Sequence, residues 1–286
     1  MRIAHIILAH KNPAQLLRLT KKLEHKMSDI YLHIDAKVPI APFESIIRGS
    51  QIFFIKNRVN CNWGGFSLLD TIIKSLQQVI NGNVRYDFIN LISAQDYPLM
   101  NAEDMYNFLE KRMGKIFISY DTSPNSEWWQ HARKRYERYH LTDYSFTGKY
   151  FVQKIINIFF RKRSFPLNVP MYGGNKSCWW TITGDSAAYL LNQLDPKSKL
   201  YKFLRYCWGS EEFVISTLLM NSQFSTQVVN ENYRYIDWSE GKSSPKLLLV
   251  EDLQAIQASK MLFARKFDNE IDVKVMDLLD NDSASH

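Results

Sequence analysis

An acid closes the second apolar run of the chain, in His33-Ile34-Asp35, and Lys37 follows it. An acid about 25–30 residues into a strand–helix–strand unit is a common partner for a ribose hydroxyl or a base N–H. It is also an ordinary turn or helix-cap residue. Trp63-Gly64-Gly65 stands before a helical stretch. Two glycines let backbone N–H groups approach a ligand, and the free N–H groups of a helix start attract anions. An indole can stack on a base, although a glycine turn beside a core tryptophan explains this tripeptide equally well. Ser93-Ala94-Gln95-Asp96-Tyr97-Pro98-Leu99 follows a buried strand. An acid and a hydroxyl at a strand's carboxyl end suit sugar binding, and Asp and Pro also favour plain turns. Ser210-Glu211-Glu212-Phe213 opens a predicted helix. The helix dipole accounts for Glu211, whereas Glu212 can face a cleft as a general base. In Leu262-Phe263-Ala264-Arg265-Lys266-Phe267-Asp268, two cations lie between aromatic residues. They read either as a solvated pair or as a diphosphate clamp, with Arg supplying a fork and Lys a point charge.

Other chemistries find little support. No GxGxxG and no GxxxxGK[ST] occurs, which removes the main argument for a dehydrogenase or a P-loop nucleotidase. Cys61, Cys178 and Cys207 include no CxxC pair, so neither a zinc site nor a disulfide framework is expected, and a reducing compartment is the simplest reading. The D-x-D triplet of the chain is Asp280-Asn281-Asp282, in a polar stretch that reads as a tail. With 36 basic and 29 acidic residues the chain carries +7, which favours anionic partners without choosing among nucleotides, lipid head groups and nucleic acid. Residues 131–140 mix Arg133, Lys134, Arg135 and Arg138 with tyrosines, a pattern that can mark nucleic-acid binding. Residues 150–163 join an apolar stretch to a basic end and suit an anionic bilayer surface. Most such runs are solvated faces.

These residues need a frame to hold them. At 286 residues, 45% hydrophobic and 23% charged, the chain suits one large α/β domain rather than a disordered one. Strands are expected at 2–9, 30–35, 52–55, 87–92 and 116–118, with helices from the Asn12-Pro13 turn to about Lys26, over 66–80 and over 102–111. That alternation argues for a mostly parallel sheet covered on both faces, with ligands beyond the carboxyl ends of its strands. His10, Asp35, Asn62-Trp63 and Ser93–Asp96 fall at those ends. Residues 121–170 have weak strand signals. Mixed α/β resumes with a strand at 178–183, helices near 184–192 and 211–221, strands near 226–236 and a helix near 250–258. No secretory signal and no transmembrane run is seen, which predicts a cytoplasmic protein, with peripheral contact at the inner face of the plasma membrane left open.

Taken in order, His33-Ile34-Asp35, Trp63-Gly64-Gly65, Ser93 to Pro98, Gly173-Gly174-Asn175-Lys176-Ser177-Cys178-Trp179-Trp180, Ser210 to Phe213, Ile236-Asp237-Trp238 with Ser244-Pro245, and Leu262 to Asp268 resemble the core-2/I-branching enzyme family. That family includes β-1,6-N-acetylglucosaminyltransferases and peptide O-xylosyltransferases, and the resemblance runs from about residue 3 to 268. It implies a GT-A-type, Rossmann-like fold with two tightly joined lobes. Residues 1–120 would bind the nucleotide sugar, and residues 121–170 would be a basic, aromatic insertion for acceptor or membrane contact. Residues 171–276 would form the acceptor and catalytic lobe, with 277–286 as a tail.

The resemblance also implies roles. Glu212 is the catalytic base, and Arg265 and Lys266 hold the donor diphosphate in place of a divalent metal, so no metal and no cofactor is expected. Asp35, Lys37, Trp63 and Gly64 contact the nucleotide. Asp96, Trp179, Glu211 and Cys178 face donor sugar and acceptor; Cys178 stands where the xylosyltransferases carry an acid. The implied reaction is an inverting transfer from a UDP-sugar, GlcNAc or xylose, to a glycan or lipid-linked glycan in cell-surface polysaccharide synthesis, with no nucleic-acid partner. The competing readings are a catalytically silent module that holds UDP or glycan, and a nucleic-acid-binding protein.

Overall fold

The computed structural model describes residues 1–124 and 126–284, and the side chains of 282–284 lie outside that description. Ile3–Ala9 form strand β1, with every residue buried. Ala4, Ile6 and Leu8 enter one core layer, and Ile7 and Ala9 the other. This is the period-two alternation of a strand covered on both faces. Asn12 caps helix α1 (Pro13–Leu23), accepting a hydrogen bond from the Gln15 amide at 3.0 Å. Pro13 sits in the first turn, where its missing N–H leaves no bond unmade. There follow β2 (Ser28–Ile34), α2 (Ala41–Ile46), β3 (Ile52–Phe54), α3 (Phe66–Ile80), β4 (Phe88–Ser93) and β5 (Asp96–Pro98). Next come α4 (Ala102–Glu110), β6 (Ile116–Phe117), β7 (Asp121–Thr122), α5 (Glu127–Ala132), α6 (Lys134–Glu137) and α7 (Lys149–Phe159). The last part holds β8 (Tyr172–Gly173), β9 (Trp180–Thr183), α8 (Gly184–Gln193), α9 (Lys199–Leu204), α10 (Val214–Met220), β10 (Val228–Val229), β11 (Arg234–Ile236), α11 (Leu253–Ala258), β12 (Phe263–Arg265) and α12 (Lys274–Ala284).

The central sheet runs β10-β6-β9-β4-β1-β2-β3. β3, β2, β1 and β4 are mutually parallel, and β9 lies antiparallel between β4 and β6. It is a mixed α/β architecture with a large, mostly parallel sheet flanked by helices, as the strand–helix alternation predicts. Ala9 pairs with Ile34 and Leu8 with Ser93, so β1, β2 and β4 end at one level. His10, Asp35 and the turn after Ser93 therefore gather at the carboxyl edge. One core layer contains Leu69, Trp180 and Phe213 together, so residues 1–120 and the later part of the chain share a core.

Three expectations need correction, and one stretch to which no element had been assigned gains helices. Ser93–Leu99 is not simply a loop: Asp96–Pro98 form β5, which pairs antiparallel with β12 so that Asp96 faces Arg265 and Tyr97 faces Ala264. Both Glu211 and Glu212 lie in a 3-10 turn, Ser210–Glu212, ahead of α10. Residues 121–170 contain α5, α6 and α7, helices that weak strand signals did not announce. Finally, residues 274–284 form α12, whose Val275, Met276 and Leu279 are buried against α1 and β12 residues. Asp280 is bound by Arg18, Lys22 and Tyr97, so this stretch is anchored rather than tail-like. Of the D-x-D triplet, Asp282 has its side chain outside the described residues.

Candidate active site

Two cavities open side by side at the carboxyl edge of the sheet. The first, about 490 Å³, is lined by His10, His33, Asp35, Lys37, Asn62 and Ser93 among others. The second, about 210 Å³, is lined by Glu211, Glu212, Cys178, Trp208, Trp238 and Lys266 among others. Trp63, Gln95, Trp179 and Arg265 line both. Residues from eight separate sequence stretches thus meet in one cleft of the size that small-molecule sites usually have.

Glu212 is held at the end of its 3-10 turn. Glycine is required nearby: a Cβ on Gly173 would lie 2.6 Å from the Glu212 carbonyl oxygen and 2.8 Å from the Phe213 Cα. The bare backbone lets the Gly174 amide donate to that carbonyl at 2.9 Å. Arg135 Nη1 donates to Glu212 Oε2 at 2.6 Å. The same guanidinium stacks over Trp208 at 4.3 Å and Trp128 at 5.0 Å. Burial raises the Glu212 carboxyl above its ordinary range, and Arg135 opposes the rise. A carboxylate whose pKa is raised is a stronger base for proton removal than an ordinary one. Glu211 is buried, its Oε2 accepts no hydrogen bond from any described residue, and burial next to Glu212 lifts its pKa to about 8. It holds a proton more readily than an ordinary carboxyl does. Burial, with Glu211 and Glu212 nearby, pushes the Cys178 thiol well up, which leaves it a poor nucleophile.

A pH experiment follows from this contact. Removing the guanidinium takes away the cation that favours ionised Glu212, so the Glu212 pKa rises further. A base works only when deprotonated, so the acid limb of the kcat/KM–pH profile should move to higher pH in Arg135→Met. A limb moved by one pH step lowers the rate on its acid side about tenfold. Arg135→Lys, which keeps the charge, should return the limb toward the parent position. An unmoved limb in Arg135→Met would remove Arg135 from this positioning role.

Two cations line the same cavity, Arg265 at the end of β12 and Lys266 just after it. Arg265 is buried, its Nε is 3.2 Å from Asp96 Oδ1, and its Cζ sits 4.3 Å over the Trp179 ring. The Arg265–Asp96 approach is an ion pair without hydrogen-bond alignment. Burial raises the Asp96 carboxyl, and Arg265 pulls it back. Arg265 therefore reaches the cleft already partnered, a feature that the motif alone does not disclose. Lys266, joined to it by a cis peptide bond, is half-buried, and burial beside Arg265 and Lys11 lowers its pKa. Lys11 pairs with Asp268. Arg234 is fully buried, and burial lowers its pKa to about 10. Its guanidinium binds Asn90, the Asn232 carbonyl and the Trp180 carbonyl.

At the other end, the Lys37 amide donates to Asp35 Oδ1 at 2.9 Å, and Lys37 Nζ reaches Asn62 Oδ1 at 2.9 Å and the Cys61 carbonyl. Trp63 is 64% exposed at the mouth, edge-on to Trp208 with ring centroids 5.0 Å apart. Gly64 has φ +69°, and a Cβ there would lie 2.3 Å from Trp208 Nε1. Its glycine is therefore explained by the packing of Trp208. The start of α3 is not an open anion site either. Asp143 accepts from the Ser67 amide at 2.9 Å and the Ser67 hydroxyl at 2.6 Å, which satisfies the donors that a phosphate would otherwise take.

The family profile described as Core-2/I-Branching enzyme matches residues 3–262. The chain belongs to the Core-2/I-branching enzyme family. Among curated proteins it is 25% identical over 303 residues to xylosyltransferase 2 of Canis lupus familiaris, covering 98% of this chain and 33% of the relative. It is likewise 25% identical to a xylosyltransferase of Ciona intestinalis, covering 98% of this chain and 34% of that one. The chain thus spans about a third of the length of the relatives it matches. Among solved structures, mouse xyloside xylosyltransferase 1 in its apo form aligns over 92% of this chain and 97% of its own at 11% identity, with a TM-score of 0.40.

In this Core-2/I-branching chain every sequence-predicted site residue lines one of the two cavities except Asp96, which stands just behind Arg265. Sequence reasoning did not single out Arg135, Trp208, Asn175, Gln95 or Arg234. Arg135 lay in the basic cluster at 131–140, where only its partner distinguishes it from solvated neighbours. Arg163 is likewise turned inward, stacked 3.9 Å over Phe203 and donating to the Tyr206 carbonyl at 2.9 Å. Trp208 stands two residues before the Ser210 motif, the one signal that pointed to it. Among the described residues no group of three or more His, Cys, Asp or Glu side chains is placed to hold a metal, and the three cysteines are free.

Proposed function

We propose that this chain moves a sugar from a UDP-sugar to a hydroxyl of a glycan acceptor, inverting the anomeric centre, without a divalent metal and in the synthesis of a surface polysaccharide. The observation that carries the reading is that one cavity is lined by both the Glu212 carboxylate and the Arg265/Lys266 pair, with the Asp35/Lys37 cavity opening beside it. UDP would lie with its uracil toward Asp35 and Lys37 and its diphosphate toward Arg265 and Lys266. The sugar would lie against Trp179 and Gln95. Glu212 takes the proton of the acceptor hydroxyl as that oxygen bonds to the anomeric carbon from the face opposite the nucleotide. The carbon–oxygen bond to the diphosphate breaks, its electron pair stays with UDP, and the cations receive the charge. Each well-placed cation contributes about 4 kcal/mol at about 4 Å with an effective dielectric near 20. Glu211, whose carboxyl burial raises, is suited in its protonated form to donate a hydrogen bond to a sugar oxygen. Proximity within the cleft adds to these effects.

UDP-GlcNAc is the first donor to test, on the resemblance to the family's N-acetylglucosaminyltransferases, and UDP-xylose the next, on the names of the matched relatives. The acceptor side is supported by a third cavity of about 600 Å³ that shares Trp208 and Asn175 with the second and is lined by Arg135 and Trp128, with Asp121 and Glu127 at its edge. Flat indoles beside carboxylates suit a sugar chain. A UDP-release screen over donor sugars, run with and without EDTA, tests the proposal. Turnover with one donor should persist in EDTA within about twofold. A strict requirement restored by Mn²⁺ would overturn the cation clamp, and UDP binding without consumption of any donor would favour a silent binding module.

A further inference from the structure

Helix α7 is amphipathic with its apolar side facing outward. Phe151, Ile158 and Phe159 are 69%, 65% and 80% exposed, and no residue of the helix is buried. Residues 151, 155 and 158 recur at i, i+4 and i+7, which places them on one face. The opposite face is polar and anchored. Gln153 accepts from the Leu141 amide at 2.8 Å, and Asn157 both accepts from the Tyr139 amide and donates to the Tyr139 carbonyl at 2.8 Å. An ordinary surface helix does the reverse, turning its apolar stripe to the core.

The charges around the stripe are of one sign. Residues 149–163 contain no Asp or Glu. Lys154, Arg161 and Lys162 are exposed, and Lys162 meets Glu137 at 3.4 Å at the edge of the surface. We infer that this face docks in the plane of an anionic lipid bilayer, with the aromatic and aliphatic side chains in the head-group boundary and the cations on acidic lipid. Eleven residues are too few to span a bilayer and enough to lie in its interface. Acidic lipid complements the cations, whereas a second copy of the chain would bring the same cations against them. The surface lies on the insertion rather than in the cleft, so the inference stands independently of the proposed reaction.

Vesicle co-sedimentation of the full chain tests it. At low salt the protein should partition onto vesicles containing phosphatidylglycerol about tenfold more than onto phosphatidylcholine alone. The double variant Phe151→Glu/Ile158→Glu should lose about tenfold in partition with an unchanged thermal midpoint. Lys154→Glu/Lys162→Glu should lose the preference for acidic lipid. Three results would overturn the inference. These are no sedimentation with acidic vesicles at low salt, equal partition of the Phe151→Glu/Ile158→Glu protein, and self-association through α7 without vesicle binding.

Discussion

Glu212→Gln should abolish sugar transfer, by about 10³-fold or more in turnover, in a protein that still folds and still binds UDP. Glutamine keeps the size of the side chain, and its carbonyl oxygen can still accept the hydrogen bond that Arg135 donates to Glu212 Oε2 at 2.6 Å. What it cannot do is take a proton from an acceptor hydroxyl. The substitution also removes the charge that helps raise the neighbouring Glu211 carboxyl, so Glu211 becomes easier to ionise and the local burial of charge does not worsen. Transfer is read as UDP release with the preferred donor and acceptor, and folding as the thermal midpoint with and without UDP. Turnover near that of the parent would exclude Glu212 as the base and direct attention to Glu211, the other carboxyl lining the same cavity.

Replacing Arg265 should damage both stability and activity. Its guanidinium is the ionic partner of Asp96, whose side chain is completely shielded from solvent. Removing one member of a buried pair typically costs about 3–5 kcal/mol, because the remaining charge is left without its counter-ion. For a chain of this size that corresponds to a thermal midpoint lower by roughly 10 °C. Asp96 is already pushed upward by burial and held back chiefly by Arg265, so in Arg265→Met it should bind a proton more readily. The stability deficit should therefore grow as pH rises through the new Asp96 pKa, since the folded state then has to hold an unpaired carboxylate or keep a proton the unfolded chain has lost. Adding Asp96→Asn removes the charge and should recover part of the stability. It should not restore transfer, because the cation proposed to face the diphosphate is still missing. Full activity in Arg265→Met at parent stability would sink both roles.

Much of the frame was legible because its signals are local. The apolar run at 3–9, the Asn12-Pro13 start of α1 and the helix over 66–80 follow from periodicity and capping, and each is where the pattern puts it. The short edge elements were not, because two or three residues carry no period. β5 and β12 exist by pairing with one another, and α7 turns its apolar stripe away from the core. The helix over 274–284 was hidden by its acidic residues, three of which gave the stretch the look of a tail; packing of Val275 and Met276 and the Arg18–Asp280 pair override that composition.

Residue chemistry along the chain sufficed to nominate Glu212, Arg265, Lys266, Asp35 and Asp96, because rare residue types in a particular order are a one-dimensional property. Which of these is free and which is already paired was decided by tertiary contact alone. Asp96 and Arg265 neutralise one another although they lie 169 residues apart in the chain, Arg135 reaches Glu212 over 77 residues, and Asp143 fills the helix start that a phosphate would otherwise find open. Electrostatic interaction depends on distance and burial, and neither is written in the spacing of residues along a sequence.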